Sequence, residues 1–126
     1  MNSDYTFDGK TILIAENDET NFIFYKEVFR KTKAEVIWAK NGIQAIEICN
    51  NNKKINLIIM DIQMPQLNGI EAAIAIKKIM DVPIVVLTAF AMKSIHEKCI
   101  KANCEDFITK PVKYKELLMV ANKYLG

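Results

Sequence analysis

The sequence predicts an α/β protein built on a doubly wound parallel sheet of five strands. Short apolar runs alternate five times with segments whose apolar residues recur at helical spacing, which is typical of repeated βα units. The runs at Asn56–Met60 and Pro83–Leu87 are apolar rather than alternating, as in strands that are covered on both faces. Right-handed crossovers between parallel strands would then place helices on both sides of the sheet.

Each predicted strand is a short run of apolar or β-branched residues. The five strands are predicted at Thr11–Ala15, Ala34–Ala39, Asn56–Met60, Pro83–Leu87 and Asp106–Ile108. Proline is acceptable at the first position of the fourth strand, where its missing N–H group breaks no interior hydrogen bond.

A helix is predicted after every strand. The first four are marked in order by Phe24, Tyr25, Val28 and Phe29; by Ile43, Ile46 and Cys49; by Ile70, Ala73, Ile74 and Ile76; and by Met92, Ile95, Cys99 and Ala102. The fifth has the clearest amphipathic pattern, because its apolar residues from Tyr114 to Leu125 follow the i, i+3, i+4, i+7 spacing of one helix face.

Size and composition predict a single domain over residues 1–126, with residues 1–9 as an N-terminal arm. A chain of 126 residues leaves little room for a second domain. Its net charge of +2 is too small to predict direct binding to nucleic acid, and no apolar run is long enough for membrane insertion. The polar N-terminus does not resemble a signal peptide, and the odd number of cysteines argues against a disulfide framework. We therefore expect a cytoplasmic protein.

One histidine and two cysteines lie close together in the fourth helical segment and just after it. His96, Cys99 and Cys104 lack the paired spacing of zinc sites. We interpret Cys99 as a packing residue and His96 as a solvated one.

Polar residues follow four of the five predicted strands. They are Glu16, Asn17 and Asp18 after the first strand, Asp61 after the third, Thr88 after the fourth, and Thr109 and Lys110 after the fifth. Open α/β sheets bind ligands at the carboxyl ends of their strands, so these side chains are expected at one edge. Clustered carboxylates favour Mg²⁺, and a lysine with a hydroxyl group suits a phosphoryl group. A carboxylate can itself be the nucleophile and form an aspartyl phosphate.

Each of these residues also has an ordinary structural interpretation. Asn17, Asp18 or Thr88 could cap a helix, and Lys110 could be a surface lysine. Their coincidence at four strand ends of one sheet favours a functional site.

The same residues lie in motifs that resemble the receiver domain of two-component response regulators. The matching segments are ILIAEND (12–18), MDIQMPQLNG (60–69), LTA (87–89) and KP (110–111), and the resemblance extends from about Lys10 to the C-terminus. It implies a flavodoxin-like fold with the sheet order 2-1-3-4-5. It also implies a phosphoacceptor that takes a phosphoryl group from phosphohistidine and then changes conformation to control a protein partner.

The resemblance assigns a role to each position. Asp61 would be the phosphoacceptor, and Glu16, Asn17, Asp61 and the backbone carbonyl of Gln63 would surround Mg²⁺. Thr88 and Lys110 would bond the phosphoryl oxygen atoms, Phe107 would be the switch aromatic residue, and the bond before Pro111 is often cis. Gln63 and Phe90 would tune the lifetime of the phosphoaspartate.

Asn17 departs from the family pattern, which usually has a second acid here. A neutral amide predicts weaker Mg²⁺ binding than an acid would give. It also leaves open an alternative, in which the chain is a degenerate pseudo-receiver that only binds proteins.

The expected partner is a sensor histidine kinase or a histidine phosphotransfer domain, and the chain is expected to be a monomer or a weak dimer. Phe22 and Ile23 belong to a run of four apolar residues that cannot all face the core, so we expect one or both to dock this partner; burial under the arm is the alternative.

No enzymatic activity is expected beyond self-catalysed phosphorylation and dephosphorylation of Asp61. Phosphatases of the haloacid-dehalogenase type need an acid where Gln63 stands. Flavin proteins need a glycine-rich loop where the sequence reads ENDET.

Overall fold

The computed structural model describes residues 5–90 and 92–126 and confirms the predicted architecture. Five parallel strands form one sheet in the order β2-β1-β3-β4-β5. The strands are β1 (Thr11–Ala15), β2 (Glu35–Ala39), β3 (Leu57–Asp61), β4 (Ile84–Thr88) and β5 (Asp106–Thr109). The helices are α1 (Glu19–Phe29), α2 (Gly42–Asn51), α3 (Gly69–Lys77), α4 (Lys93–Lys101) and α5 (Tyr114–Leu125), and a short 3-10 turn at Arg30–Thr32 follows α1. None of the helices in the described ranges is long and apolar enough to cross a membrane.

Three strands end one residue later than the sequence predicts. Asp61 pairs with Leu87 and Thr88 pairs with Thr109, so Asp61, Thr88 and Thr109 are the last members of their strands rather than the first residues of the loops. The backbone ladder therefore fixes their positions directly.

The sheet separates two apolar cores. Ile12, Ile14, Leu57 and Ile59 face the core that contains residues of α1 and α5, while Leu13, Ile58 and Met60 face the core that contains residues of α2 and α3. Because successive side chains of a strand point to opposite faces, the continuous apolar runs supply both cores at once.

The predicted N-terminal arm is only partly a separate segment. Residues 1–4 lie outside the described ranges, but Phe7 is fully buried against the α1 side of the sheet and tilts against Phe29. The Phe7 N–H group donates to the Thr32 carbonyl at 2.7 Å. This part of the arm therefore belongs to the core.

Glu105 anchors the loop between α4 and β5. Its carboxylate accepts a hydrogen bond from the Ile84 N–H group at 2.8 Å and an ion-paired hydrogen bond from Lys77 Nζ at 2.7 Å. The Lys77 ammonium also donates to the Val82 carbonyl at 2.7 Å. These contacts hold the start of β4 at the end of the sheet opposite the polar cluster.

Candidate functional site

Asp61 lies at the centre of the polar cluster, at the carboxyl end of the middle strand. The residue is 2% exposed. Its Oδ1 atom accepts a hydrogen bond from the Gln63 N–H group at 3.0 Å, and its Oδ2 atom accepts one from Lys110 Nζ at 2.7 Å. The buried carboxylate is therefore held by one backbone donor and one cation.

Gly69 lets the start of α3 approach the Asp61 backbone. A Cβ atom at this position would overlap the Asp61 carbonyl oxygen and lie 2.9 Å from its carbonyl carbon. The Gly69 N–H group donates to the Ile62 carbonyl at 3.0 Å. Because the Asp61 backbone leaves no room for a Cβ atom, the MDIQMPQLNG motif must end in glycine.

Glu16 supplies the second buried carboxylate and is 1% exposed. Its Oε2 atom accepts from the Asp18 N–H group at 3.0 Å, while Oε1 is buried without a hydrogen-bond partner among the described residues. Burial, with the neighbouring Asp61 carboxylate, raises the pKa of Glu16 to about 7, and the Asp18 N–H group and Lys110 oppose the rise. A buried carboxylate oxygen without a donor is a position at which a cation would be stabilised.

Asn17 lies between Glu16 Oε2 and the Gln63 carbonyl oxygen, and without a cation these two acceptors favour the orientation that turns its amide nitrogen toward them. In that orientation the nitrogen donates to Glu16 Oε2 at 3.3 Å and to the Gln63 carbonyl at 3.2 Å. The opposite orientation would face the amide oxygen toward two other acceptors. The opposite orientation is the one that would offer an oxygen atom to a cation, so Asn17 borders the expected metal pocket and stays a predicted ligand.

Asp18 caps α1, which confirms the structural interpretation of this residue rather than a role in the site. Its carboxylate accepts a hydrogen bond from the Thr20 N–H group at 2.8 Å, and its backbone is extended. This is the standard geometry of a helix N-cap.

The Thr88 hydroxyl group is bonded to the following loop rather than to Asp61. It accepts from the Phe90 N–H group at 3.0 Å and donates to the Phe90 carbonyl at 3.3 Å. Thr88 is fully buried. Any contact with a group on Asp61 would require these two bonds to rearrange.

Phe107 is half-buried and stacks on His96. The ring centroids are 3.8 Å apart, and the rings are tilted by 28°. The interpretation of His96 as a solvated residue is wrong, because its ring covers Phe107 and its Nε2 atom is buried without a partner in the described part of the chain. The predicted switch aromatic residue therefore already packs against α4.

Lys110 joins the last strand to the site. Its backbone N–H group donates to the Thr88 carbonyl at 2.7 Å, while its ammonium group reaches Asp61. The Lys110–Pro111 peptide bond is cis, as the resemblance led us to expect.

The structure buries Phe22 and leaves Ile23 exposed, so only Ile23 remains a candidate for docking a partner. Phe22 is buried, because its ring stacks on Trp38 with centroids 4.5 Å apart and planes within 5°. It is therefore not free to dock a partner, and among residues 5–90 and 92–126 its ring is covered by Trp38. Ile23 is 56% exposed.

Trp38 is a site residue that the sequence analysis missed. Its indole N–H group donates to the Glu16 carbonyl at 2.7 Å, and Lys40 Nζ lies 5.1 Å from the ring centroid. The available signal was a tryptophan on the predicted edge strand β2, which pairs with the strand that leads into Glu16.

The oxygen atoms around the pocket suit a hard cation but bring little negative charge. Among residues 5–90 and 92–126, no group of three or more His, Cys, Asp or Glu side chains is placed to hold a metal. Glu16 and Asp61 supply two carboxylates, and the Gln63 carbonyl supplies a neutral oxygen. Such oxygen ligands fit Mg²⁺, which usually keeps several waters.

Comparison with known proteins agrees with this geometry. The model of the response regulator receiver domain family matches residues 12–122. The polar-differentiation response regulator DivK of Brucella anthropi is 30% identical over 120 residues, which cover 93% of this chain and 97% of DivK.

Two solved structures show the same fold. One is a chain from the co-crystal structure of the Saccharomyces cerevisiae histidine phosphotransfer protein Ypd1 and the receiver domain of Ssk1; it is 31% identical with a TM-score of 0.88, over 95% of this chain and 91% of that one.

The other is the receiver domain of sensor histidine kinase PA1611 from Pseudomonas aeruginosa PAO1, which has a magnesium ion in its active site cleft. It is 30% identical with a TM-score of 0.84, over 94% of this chain and 98% of that one. The family match, the shared sheet order and the buried Asp61 at the end of β3 lead to one conclusion: the chain belongs to the receiver domains of two-component response regulators.

Proposed function

We propose that Asp61 is the phosphoacceptor of a phosphorelay and that its phosphorylation switches the surface formed by α4 and β5. The observation that carries this proposal is the buried Asp61 carboxylate, bonded to Lys110 Nζ at 2.7 Å and to the Gln63 N–H group at 3.0 Å. A surface aspartate would have neither the rigid backbone position nor the neighbouring cation.

The reaction is the transfer of a phosphoryl group from a phosphohistidine. One Asp61 carboxylate oxygen forms a bond to phosphorus as the phosphorus–nitrogen bond breaks, and the histidine nitrogen keeps the electron pair of that bond. Catalysis of this kind depends on positioning and charge neutralisation. Lys110 supplies a positive charge beside the oxygen atoms that gain negative charge.

A divalent cation has a place in this pocket. Glu16, Asn17, Asp61 and the Gln63 carbonyl are the proposed Mg²⁺ ligands. When bound, Mg²⁺ would supply positive charge to the phosphoryl oxygen atoms. The buried Glu16 Oε1 atom, which has no partner in the described residues, supports this assignment.

The switch is proposed to run through Thr88 and Phe107. After phosphorylation, the Thr88 hydroxyl would exchange its bonds to Phe90 for one to a phosphoryl oxygen. This exchange would release the loop before α4, the helix whose His96 stacks on Phe107. The two arrangements are the two states between which the phosphoryl group selects.

The proposed phosphodonor is a sensor histidine kinase or a histidine phosphotransfer domain in the cytoplasm. The likeness to a chain from a co-crystal with a histidine phosphotransfer protein supports this choice. Ile23, exposed on α1, is the proposed docking residue. We propose no enzymatic activity other than self-catalysed phosphorylation and dephosphorylation of Asp61.

The direct test is intact mass after incubation with acetyl phosphate, with and without Mg²⁺. Wild type should gain a phosphoryl adduct that depends on Mg²⁺, and Asp61→Asn should gain none. No adduct at any Mg²⁺ concentration would favour the pseudo-receiver, the alternative that the neutral Asn17 supports.

The docking residue needs a separate test. Ile23→Ala should slow transfer from a phosphorylated histidine phosphotransfer domain without changing the rate with acetyl phosphate. Met119→Ala is the matched control, because Met119 is 55% exposed on another helix, close to the 56% of Ile23. Equal transfer rates in the two variants would remove Ile23 from the interface.

A further inference from the structure

The sheet has a free edge at β2. In a parallel strand the N–H and C=O groups of one residue point to the same side, and successive residues alternate between the two sides. The Glu35 N–H group donates to the Lys10 carbonyl at 2.9 Å, so positions 35, 37 and 39 face β1. Val36 and Trp38 therefore turn their backbone groups away from the sheet, where no neighbouring strand lies among residues 5–90 and 92–126. Such unpaired groups can accept a further strand.

A mainly apolar groove lies beside this edge, between α1 and β2. Its volume is about 310 Å³, at the lower end of the range of about 300–1,000 Å³ for ligand pockets, so it suits side chains rather than a large molecule. Phe29 in its lining is fully buried, whereas Ile23 is 56% exposed, so the apolar surface continues from the core to the solvent. The lining residues are Ile23, Lys26, Glu27, Phe29, Arg30, Ala34 and Val36.

The groove and the free edge meet at Val36. Val36 and Trp38 pack on the face of the sheet that carries α1, whereas Ile37 packs on the opposite face. A strand added beside β2 would also alternate, so every second side chain of it would point to the α1 face, and the one beside Val36 would reach the groove. Peptide recognition by strand addition has this form, in which backbone bonds supply affinity and pockets for alternate side chains supply specificity.

The border of the groove is basic. The stretch 26–33 contains four basic residues and one acid, and this acid, Glu27, is already bonded to Arg30 Nε at 2.8 Å. Lys26 lines the groove and is in no ion pair within the described ranges. Charge complementarity therefore favours an acidic segment in this position and disfavours a second copy of the chain, whose own basic border would face the first.

We propose that β2 binds an extended, acidic segment of a partner protein as a sixth strand of the sheet, with one apolar side chain of that segment in the groove. The proposal goes beyond the phosphoacceptor assignment, because it requires no group on Asp61. Ile23 is common to this groove and to the proposed docking of the phosphodonor, so the two partners would contact one residue.

Hydrogen exchange of the whole chain with a synthetic peptide tests the proposal. The probe is a capped peptide of about nine residues that alternates valine with threonine and glutamate, and the control peptide has lysine in place of glutamate. Without peptide, the Val36 and Trp38 amides should exchange faster than the Ile37 amide, which faces β1. The acidic peptide should slow exchange at Val36 and Trp38 and leave Ile37 unchanged. Fluorescence of Trp38, the only tryptophan, would give the affinity.

Two variants test the edge and the charge separately. Val36→Pro removes an outward N–H group, and an edge strand tolerates proline on its solvent side, so the ladder to β1 should remain while peptide binding weakens at least about fivefold. Lys26→Glu should weaken binding of the acidic peptide about three- to tenfold. Lys115→Glu is the matched control, because Lys115 is also exposed but lies on α5, outside the groove, and should leave the affinity unchanged.

The outcomes separate strand addition from other occupants. Slower exchange at Val36 and Trp38 with the acidic peptide, together with weaker binding of the lysine peptide and of Lys26→Glu, supports the proposal. Absence of saturable binding, equal affinity for the two peptides, or binding that leaves both amides unprotected overturns it; the last result is expected for a helix in the groove. Protection that rises with protein concentration alone would assign the edge to a second copy and also overturns it. Phosphorylation of Asp61 enters none of these measurements, so their failure is distinct from failure of the phosphoacceptor assignment.

Discussion

Protonation of Glu16 should make the metal-free protein more stable in acid than in base. Burial raises the pKa of this carboxyl group from 4.5 to about 7. Between these values the folded protein binds a proton that the unfolded chain has lost, so the free energy of unfolding falls as the pH rises. The stability from Glu16 is complete below about pH 4 and is lost as the pH passes through 7.

The size of the effect follows from the shift in the pKa. A difference of 2.5 pKa units, from 4.5 to 7, corresponds to about 3 kcal/mol at 1.36 kcal/mol per unit. Most of this loss, about 2 to 3 kcal/mol, should occur between pH 5 and pH 8. Glu16→Gln has the same shape and no titrating proton, so it should lack this component.

Urea unfolding in EDTA at several pH values would measure the effect. EDTA is needed because a bound cation would stabilise the ionised carboxylate and oppose the trend. The difference between wild type and Glu16→Gln isolates Glu16 from the other titrating groups. Parallel stability profiles for the two proteins from pH 5 to pH 8 would refute the reasoning.

Three further substitutions test the packing around the site by urea unfolding. Gly69→Ala should cost about 1 to 3 kcal/mol, because its methyl group would enter the backbone of β3; a change below about 0.5 kcal/mol would contradict that close approach. Phe22→Ala should cost roughly 2 to 4 kcal/mol through the lost stack on Trp38, and an unchanged stability would mean that the ring is free for docking after all. Glu105→Ala should cost about 1 to 3 kcal/mol by leaving the Ile84 N–H group without its acceptor, whereas Glu105→Gln should cost less; equal losses would point to the charge instead.

The sequence alone predicted the alternation of strands and helices. Its strongest signals were local: β-branched apolar runs, helical spacing and the prolines and glycines between them. The predicted strands stopped one residue short of Asp61, Thr88 and Thr109, because a polar residue at the end of an apolar run resembles the start of a loop. Pairing with the neighbouring strand, which no local pattern reveals, extends the ladder through all three.

The strand order required more than periodicity. Five βα units are compatible with several sheet orders, and the order 2-1-3-4-5 came from the resemblance of the motifs around Asp61 and Lys110 to receiver domains. The cluster at the carboxyl edge was predictable by contrast, because parallel strands bring their ends to one edge whatever their order.

Only the tertiary structure decided the orientation of individual side chains. The sequence placed Asn17 at the pocket, but only the fold brings its amide between two acceptors on separate loops, Glu16 Oε2 and the Gln63 carbonyl. It grouped Phe22 with Ile23, but the two side chains have different surroundings in the fold. Trp38, on a strand that is distant in sequence, covers Phe22, whereas Ile23 is exposed. Composition and spacing specify which residues reach the sheet edge, whereas the contacts each one makes depend on neighbours that only folding brings together.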